Sequence, residues 1–267
     1  MQAGVGMNFD LVICGVGGQG VLSIAWVIDQ AAVEAGFHIK QPEVHGMAQR
    51  GGAVSAFVRM SDAPIASDLV ADGTARMVLS VEPMECLRYA KMLRPDGWIV
   101  TDVTPLKNVS AYPDTSRLFE VLFSAPRLIA VDAAALARQA GMVKANNMVM
   151  LGAAASLLPV PAALIEKHLT ALFAAKGERI ANANVEAFRM GDAAGRFAAA
   201  LVADGVPAGI VARVVPRLAF QSRPVQAHIT EQWLQRLRAP DAQDAAAHLF
   251  GAGELLAADR GPSALTA

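Results

Sequence analysis

Two short segments hold most of the residues in this 267-residue chain whose types and spacing could do chemistry. The first is Gly15-Val16-Gly17-Gly18-Gln19-Gly20, which follows the apolar run Phe9–Cys14 and opens an amphipathic stretch. A glycine-dense turn between a strand and a helix presents backbone N–H groups at the helix N-terminus, where an anionic group can bind. The spacing fits the dinucleotide fingerprint G-x-G-x-x-G, which also expects an acid near the end of the second strand to hold a ribose hydroxyl. Here that strand ends Lys40-Gln41-Pro42, and Glu43 lies beyond the proline. NAD is therefore disfavoured. A phosphate or nucleotide site stays open, and so does a tight turn needed only for helix–sheet packing.

The second segment, Glu43-Val44-His45-Gly46-Met47-Ala48-Gln49-Arg50-Gly51-Gly52, gathers an acid, an imidazole, an amide and a guanidinium among three glycines. So polar a loop between two strands has no evident packing purpose. Arg50 could clamp a phosphate or carboxylate bidentately, and His45 could carry a proton near neutral pH. The plain alternative pairs Arg50 with Glu43 or with a neighbouring subunit and leaves His45 capping a backbone group. Contact with a partner takes the larger share of the expectation.

Acids recur just after predicted strands, as Glu82, Asp102 and Asp132. Carboxyl ends of parallel strands line the ligand crevice of an open sheet, yet each acid also reads as a cap or turn residue. No Ser/His/Asp order and no metal-ligand spacing stands out. Lys167 and His168 fall on a predicted helix and are expected to be solvated. Cys14 and Cys86 lie in apolar surroundings and read as small core residues; two cysteines cannot ligate a four-cysteine iron–sulfur cluster.

The elements that must position these residues follow from the hydrophobic pattern. Residues 9–14 read as a buried parallel strand. Val21–Ala35 reads as a helix with Leu22, Ala25, Ile28 and Ala32 at helical spacing and Gly36 as its stop. With the extended piece 37–40 this makes a βαβ unit. Strands are expected at 53–60, 76–81, 98–103 and 127–131, and helices at 83–93, 132–141, 146–158 and 161–175; Pro95-Asp96-Gly97 reads as a turn. The expected fold is an open, mostly parallel, doubly wound (Rossmann-like) α/β sheet. The helix after Asn146-Asn147 has a small-residue face suited to close internal packing. The texture changes near residue 190, so the expected organisation is an α/β domain over 7–190 and a helical C-terminal extension or arm over 191–267.

Composition narrows the class further. Hydrophobic content of 54% with 18% charge is rich for a free-standing monomer and points to a partner chain. A net charge of −1 with no basic block argues against nucleic acid and anionic membranes as partners. The longest uncharged run, 146–165, contains Pro159 and Pro161 and reads as a buried helix and turn rather than a membrane span. No charged-then-apolar signal pattern opens the chain, so the cytoplasm is the expected location.

Taken together, the glycine turn and the His45–Gly52 string resemble the signatures of the gamma-type domain of 2-oxoacid:ferredoxin oxidoreductases. Within that family they are most similar to the small (beta) subunit of indolepyruvate or arylpyruvate ferredoxin oxidoreductase. The resemblance covers roughly residues 7–190 and continues through Asp68-Leu69-Val70 and the Asn147–Gly152 helix. It implies a subunit, inactive alone, of an enzyme that oxidatively decarboxylates aromatic 2-oxoacids to acyl-CoA and passes electrons to ferredoxin. Thiamine diphosphate, magnesium and 4Fe–4S clusters would then sit in a large partner subunit, with coenzyme A as a possible co-substrate and no cofactor held by this chain alone. On that resemblance, Gly15, Gly17, Gly18, Gln19, Gly20 and Arg50 are the candidate phosphate contacts. Glu43, His45, Gln49 and Arg50 would face the partner or the shared cavity. The competing readings are a self-sufficient nucleotide-dependent oxidoreductase and a nucleotide-binding module without chemistry.

Overall fold

The computed structural model describes residues 6–45, 51–107, 111–247, 256–258 and 262. Its centre is β1 (Asn8–Val16), whose residues are buried from Phe9 onward. Alternation along it feeds two cores: Leu11 and Ile13 point to one face of the sheet, Val12 and Cys14 to the other. A strand buried on both faces reads as a nearly continuous apolar run, and this one does.

From β1 the chain passes through α1 (Val21–Glu34) to β2 (His38–Lys40) and β3 (Glu43–His45), then returns along β4 (Ala53–Ser61). The strand order is β2-β4-β1-β5-β6-β7, with β5 (Ala75–Ser80), β6 (Leu93–Asp102) and β7 (Leu128–Val131) each parallel to its predecessor. Only β4 runs against the rest of this sheet. The expected βαβ unit is thus split: β4 lies antiparallel between β1 and β2. The cause is local. β2 and β3 lie end to end along the outer edge of β4, pairing with residues 59–61 and 54–56, so the chain folds back on itself instead of crossing over.

Between strands run α2 (Pro83–Arg88), α3 (Thr115–Phe123), α4 (Ala133–Gln139), α5 (Asn146–Ala155) and α6 (Ala162–Ala174). The fold is the expected doubly wound α/β arrangement: α1, α5 and α6 pack on one face of the sheet, α2 and α3 on the other. Two boundaries differ from expectation. α2 stops at Arg88, and β6 begins at Leu93, absorbing Pro95-Asp96-Gly97 as an irregularity where the register jumps between Ala75 and Met77.

α7 (Glu178–Ala203) is 26 residues long and runs unbroken across residue 190. It lies against α5 almost backbone to backbone. A Cβ on Gly152 would stand 2.0 Å from the Phe188 carbonyl oxygen, one on Gly191 2.0 Å from that of Val149, and one on Gly195 2.2 Å from that of Ala153. The small-residue face of α5 is therefore internal packing, as expected. Beyond it lie α8 (Ala208–Val214), β8 (Leu218–Ala219), α9 (Ala227–Arg238), α10 (Pro240–Ala247) and β9 (Leu256–Ala257), the last pairing with β8. Trp233 is fully buried, edge-on to Phe197 at 6.1 Å, and its indole N–H donates to the Ala258 carbonyl at 3.0 Å. Phe197, Leu201, Trp233 and Leu237 belong to the same core as Leu11 and Ile28. Among the described residues no helix is long and apolar enough to cross a membrane.

Candidate functional site

The glycine turn joins β1 to α1, and its glycines answer to different constraints. Gly15 has no room for a side chain, since a Cβ would fall 2.2 Å from Val81 Cγ2. Gly20 holds φ +79° at the start of α1, and a Cβ there would meet Asn147 Nδ2 at 2.3 Å. Gly18 is also left-handed, at φ +100°. The turn is fastened from three sides. Gln19 accepts the Val16 N–H through Oε1 (2.7 Å) and donates through Nε2 to the Val81 carbonyl at the end of β5 (3.0 Å). Asn147 Nδ2, on α5, donates to the Gly20 carbonyl at 3.3 Å. Gly17 exchanges backbone hydrogen bonds with the start of β4, donating to Gly52 (2.8 Å) and accepting from Gly51 (3.3 Å).

That last pair is the junction of the two segments singled out in the sequence. Gly15, Gly17, Gly18, Gln19 and Gly20 stand together, with Gly51 and Gly52 beside them. Gln19 serves as a clamp between two strand ends. Glu43 lies on the outer edge strand near Asp29 of α1, and Gln41 Nε2 donates to it at 2.8 Å. His45 ends β3 opposite Val54. Gln49 and Arg50 lie outside the described residues.

Gly18 and Gly20 open onto a cavity of about 680 Å³ at the carboxyl ends of the strands. Its floor includes Asp102, at the end of β6, and Asn147. Its walls include Phe173 of α6 and Ile180 of α7, and Lys144 and Lys176 bring positive charge to it. Lys176 Nζ lies 5.0 Å from the Phe173 ring centre. Leu106 and Val143 leave apolar surface exposed along the lining. The N–H groups of Gly18 and Gly20, which line the cavity, have no acceptor among the described residues, so this side of the turn is electropositive. Cationic side chains, uncommitted N–H groups and apolar walls together suit an anionic ligand with a sizeable non-polar part.

The three strand-end acids divide. Glu82 caps α2 by accepting the Glu85 N–H (2.8 Å), and also accepts from the Leu106 N–H and the Tyr112 hydroxyl. Asp132 caps α4 through the Ala135 N–H (2.8 Å). Both are structural. Asp102 alone faces the cavity. Burial pushes its carboxyl up to about 7, although its Oδ1 accepts N–H groups from Thr104 and Ala133, each at 3.1 Å. It can gain or lose a proton near neutral pH.

Sequence reasoning passed over Lys144 and Lys176, which carry no local signature and converge only through the packing of α5 and α6. Lys167 is exposed, as expected, whereas His168 is only 17% exposed; both bind Glu34 of α1, at 2.5 and 2.7 Å. They tie α6 to α1. Cys14 and Cys86 are fully buried. Burial pushes the Cys14 thiol up to about 12 and Cys86 well above its ordinary value, so neither offers a thiolate to iron. Among the described residues no group of three or more His, Cys, Asp or Glu side chains could hold a metal.

Comparison with known proteins gives a consistent picture. Residues 10–194 match the family described as pyruvate ferredoxin/flavodoxin oxidoreductase. The indolepyruvate oxidoreductase subunit IorB of Archaeoglobus fulgidus is 33% identical over 192 residues, covering 69% of this chain and 94% of that protein. The IorB subunit of Pyrococcus horikoshii is 39% identical over 155 residues, covering 55% and 76%. The gamma subunit of a keto/oxoacid ferredoxin oxidoreductase from Geobacter sulfurreducens shares the fold, with a TM-score of 0.51 at 24% identity over 68% of this chain and 95% of that one. The 2-oxoglutarate:ferredoxin oxidoreductase of Magnetococcus marinus, solved with 2-oxoglutarate, coenzyme A and succinyl-CoA bound, aligns with a TM-score of 0.58 at 20% identity. The match covers 71% of this chain but only 31% of that larger polypeptide. The chain belongs to the pyruvate ferredoxin/flavodoxin oxidoreductase family.

Proposed function

We propose that this chain is the small subunit of a thiamine-dependent indolepyruvate- or arylpyruvate-type 2-oxoacid:ferredoxin oxidoreductase, inactive until joined by a large subunit. The reading rests on the backbone pairing of Gly17 with Gly51 and Gly52, which holds the two family-like segments together at the mouth of the cavity. The large partner would hold thiamine diphosphate, magnesium and 4Fe–4S clusters, which supply decarboxylation and electron transfer to ferredoxin. The buried, protonated cysteines of this chain do not fit cluster ligation, which agrees with that division of labour.

This chain's own part is to receive the acyl acceptor, coenzyme A. The N–H groups of Gly18 and Gly20, just before α1, with Arg50, would take phosphate oxygens. Lys144 and Lys176 would draw the anion in, and Phe173 and Ile180 would cover its non-polar part. Gln19 and Asn147 hold the turn in place. Residues past 194 lie outside the family match, and we assign them to packing along α7 and to the outer wall of the complex.

The test is purification of the tagged full-length chain from its native host, followed by iron, sulfide and thiamine analysis of whatever accompanies it. A stoichiometric thiamine- and iron-bearing partner, with aryl-2-oxoacid-dependent ferredoxin reduction, is the expected result. A monodisperse single chain with saturable NAD(P) binding would replace the proposal with the self-sufficient oxidoreductase. Within the assembled complex, Lys144→Ala with Lys176→Ala should raise the KM for coenzyme A about tenfold or more at low salt while changing the KM for the oxoacid little, an effect that added salt should shrink.

A further inference from the structure

α1 presents two different apolar surfaces. Ile24, Ala25, Ile28 and Ala31 pack on the sheet. A second stripe, Leu22, Trp26 and Val33, is 38, 40 and 58% exposed, and Asp29 completes its helical spacing. At its upper end Leu22 borders a depression of about 390 Å³ shared with Val16 and Val54. Asp29 interrupts the stripe with a buried carboxyl oxygen, Oδ1, that has no hydrogen-bond partner. Glu43, on the neighbouring edge strand, adds a second negative charge, and neither acid has an ion-pair partner among the described residues. Burial first, and then Glu43, push the Asp29 carboxyl up to about 7.

An unpaired carboxyl oxygen held inside an exposed apolar stripe is costly in the free chain; protonation relieves the charge there, whereas a cation arriving from outside satisfies the ionised form. The spacing is definite: seven residues separate Leu22 from Asp29, about 10 Å along the helix. We infer that the Leu22–Trp26–Val33 face of α1 is the docking surface for the partner subunit, which brings a Lys or Arg side chain to Asp29 and Glu43 and an apolar anchor about 10 Å away at Leu22. The inference rests on the subunit reading above and adds which face is covered and by what chemistry.

The experiment compares assembly of the full-length wild-type chain with Trp26→Glu, Asp29→Asn and Val121→Glu, using the partner chain that copurifies with it. Val121 is an exposed apolar residue of α3, on the far face of the sheet, and serves as the control. Trp26→Glu and Asp29→Asn should each weaken assembly roughly tenfold or more, and Val121→Glu should leave it unchanged. Asp29→Asn should also leave the free chain as stable as wild type or more so, because it removes a buried carboxyl; loss of assembly with gain of stability separates docking from folding. If wild type assembles but Trp26→Glu and Asp29→Asn assemble equally well, the docking face is refuted and the subunit reading stands. If wild type binds no thiamine-bearing partner, the subunit reading fails and takes this inference with it. Self-association abolished by Trp26→Glu would overturn the inference in favour of a second copy of this chain.

Discussion

Gly191→Ala puts the contact between α5 and α7 to a direct test. The new methyl carbon would start 2.0 Å from the Val149 carbonyl oxygen, where ordinary contact begins at 3.4 Å. The helices must therefore separate by up to about 1.4 Å, because the obstacle is backbone and cannot swing aside. Overpacking of this kind costs about 1–3 kcal/mol and more where backbone must move, while alanine returns about 1 kcal/mol of helix propensity. Because the obstacle here is backbone, the cost lies at or just above the top of that range, about 3–4 kcal/mol, so a net loss of about 2–3 kcal/mol is expected, or a fall in Tm of about 4–12 °C for a chain of this size. Thermal unfolding followed by circular dichroism measures it. Ala200→Gly in the same helix isolates the propensity term and should cost only about 1 kcal/mol. Gly195→Ala should behave like Gly191→Ala, and the double variant should cost less than the sum, since one separation relieves both clashes. A Gly191→Ala protein with a Tm equal to or above wild type would refute the close approach.

Two further outcomes follow from the site. Asp102 titrates at about 7 in the fold against an ordinary 3.8, so the folded chain holds that proton more tightly than the unfolded one. Its contribution is full below pH ~4 and is lost as pH rises through 7, by at most roughly 4 kcal/mol; urea unfolding should give lower stability at pH 8 than at pH 5, and Asp102→Asn, which keeps an acceptor for Thr104 and Ala133, should flatten the difference. Gln19→Glu keeps the acceptor for the Val16 N–H but loses the donor to Val81, so it should cost about 1–3 kcal/mol in chemical unfolding, while Gln19→Met, removing both, should weaken hydrogen-exchange protection at Val16 as well.

What the sequence revealed depended on how local the cause was. β1, α1 and the glycine turn were legible because apolar runs, helical spacing and glycine punctuation are written within a few residues of one another. The insertion of β4 was not, since its pairing with both β1 and β2 is decided by residues 53–61 meeting strands far away in the chain. The first half of α7 was missed because Arg179, Asn182, Asn184 and Glu186 dilute the apolar pattern; the helix is held there by packing on α5, beginning after Gly177 at φ +101°. At the site, the adjacency of Gly17 to Gly51 and Gly52 was not legible, because it is a backbone pairing between segments more than thirty residues apart. Lys144, Lys176 and Asp102 became a group once α5 and α6 had closed over the strand ends.

The position of β1 has a consequence for how the chain is made. It is the central strand and apolar along nearly its whole length, yet its two neighbours, β4 and β5, come later in the sequence. At a synthesis rate of roughly 5–20 residues per second, the roughly 60 residues between Val16 and Ser80 correspond to several seconds in which β1 and α1 have emerged without their pairing strands. For that interval the nascent chain displays an apolar strand without its partners to the solvent and to other ribosomes' products. A ribosome pause between β1 and β5 would lengthen that exposure, whereas one after residue 80 would leave both neighbours of β1 already made.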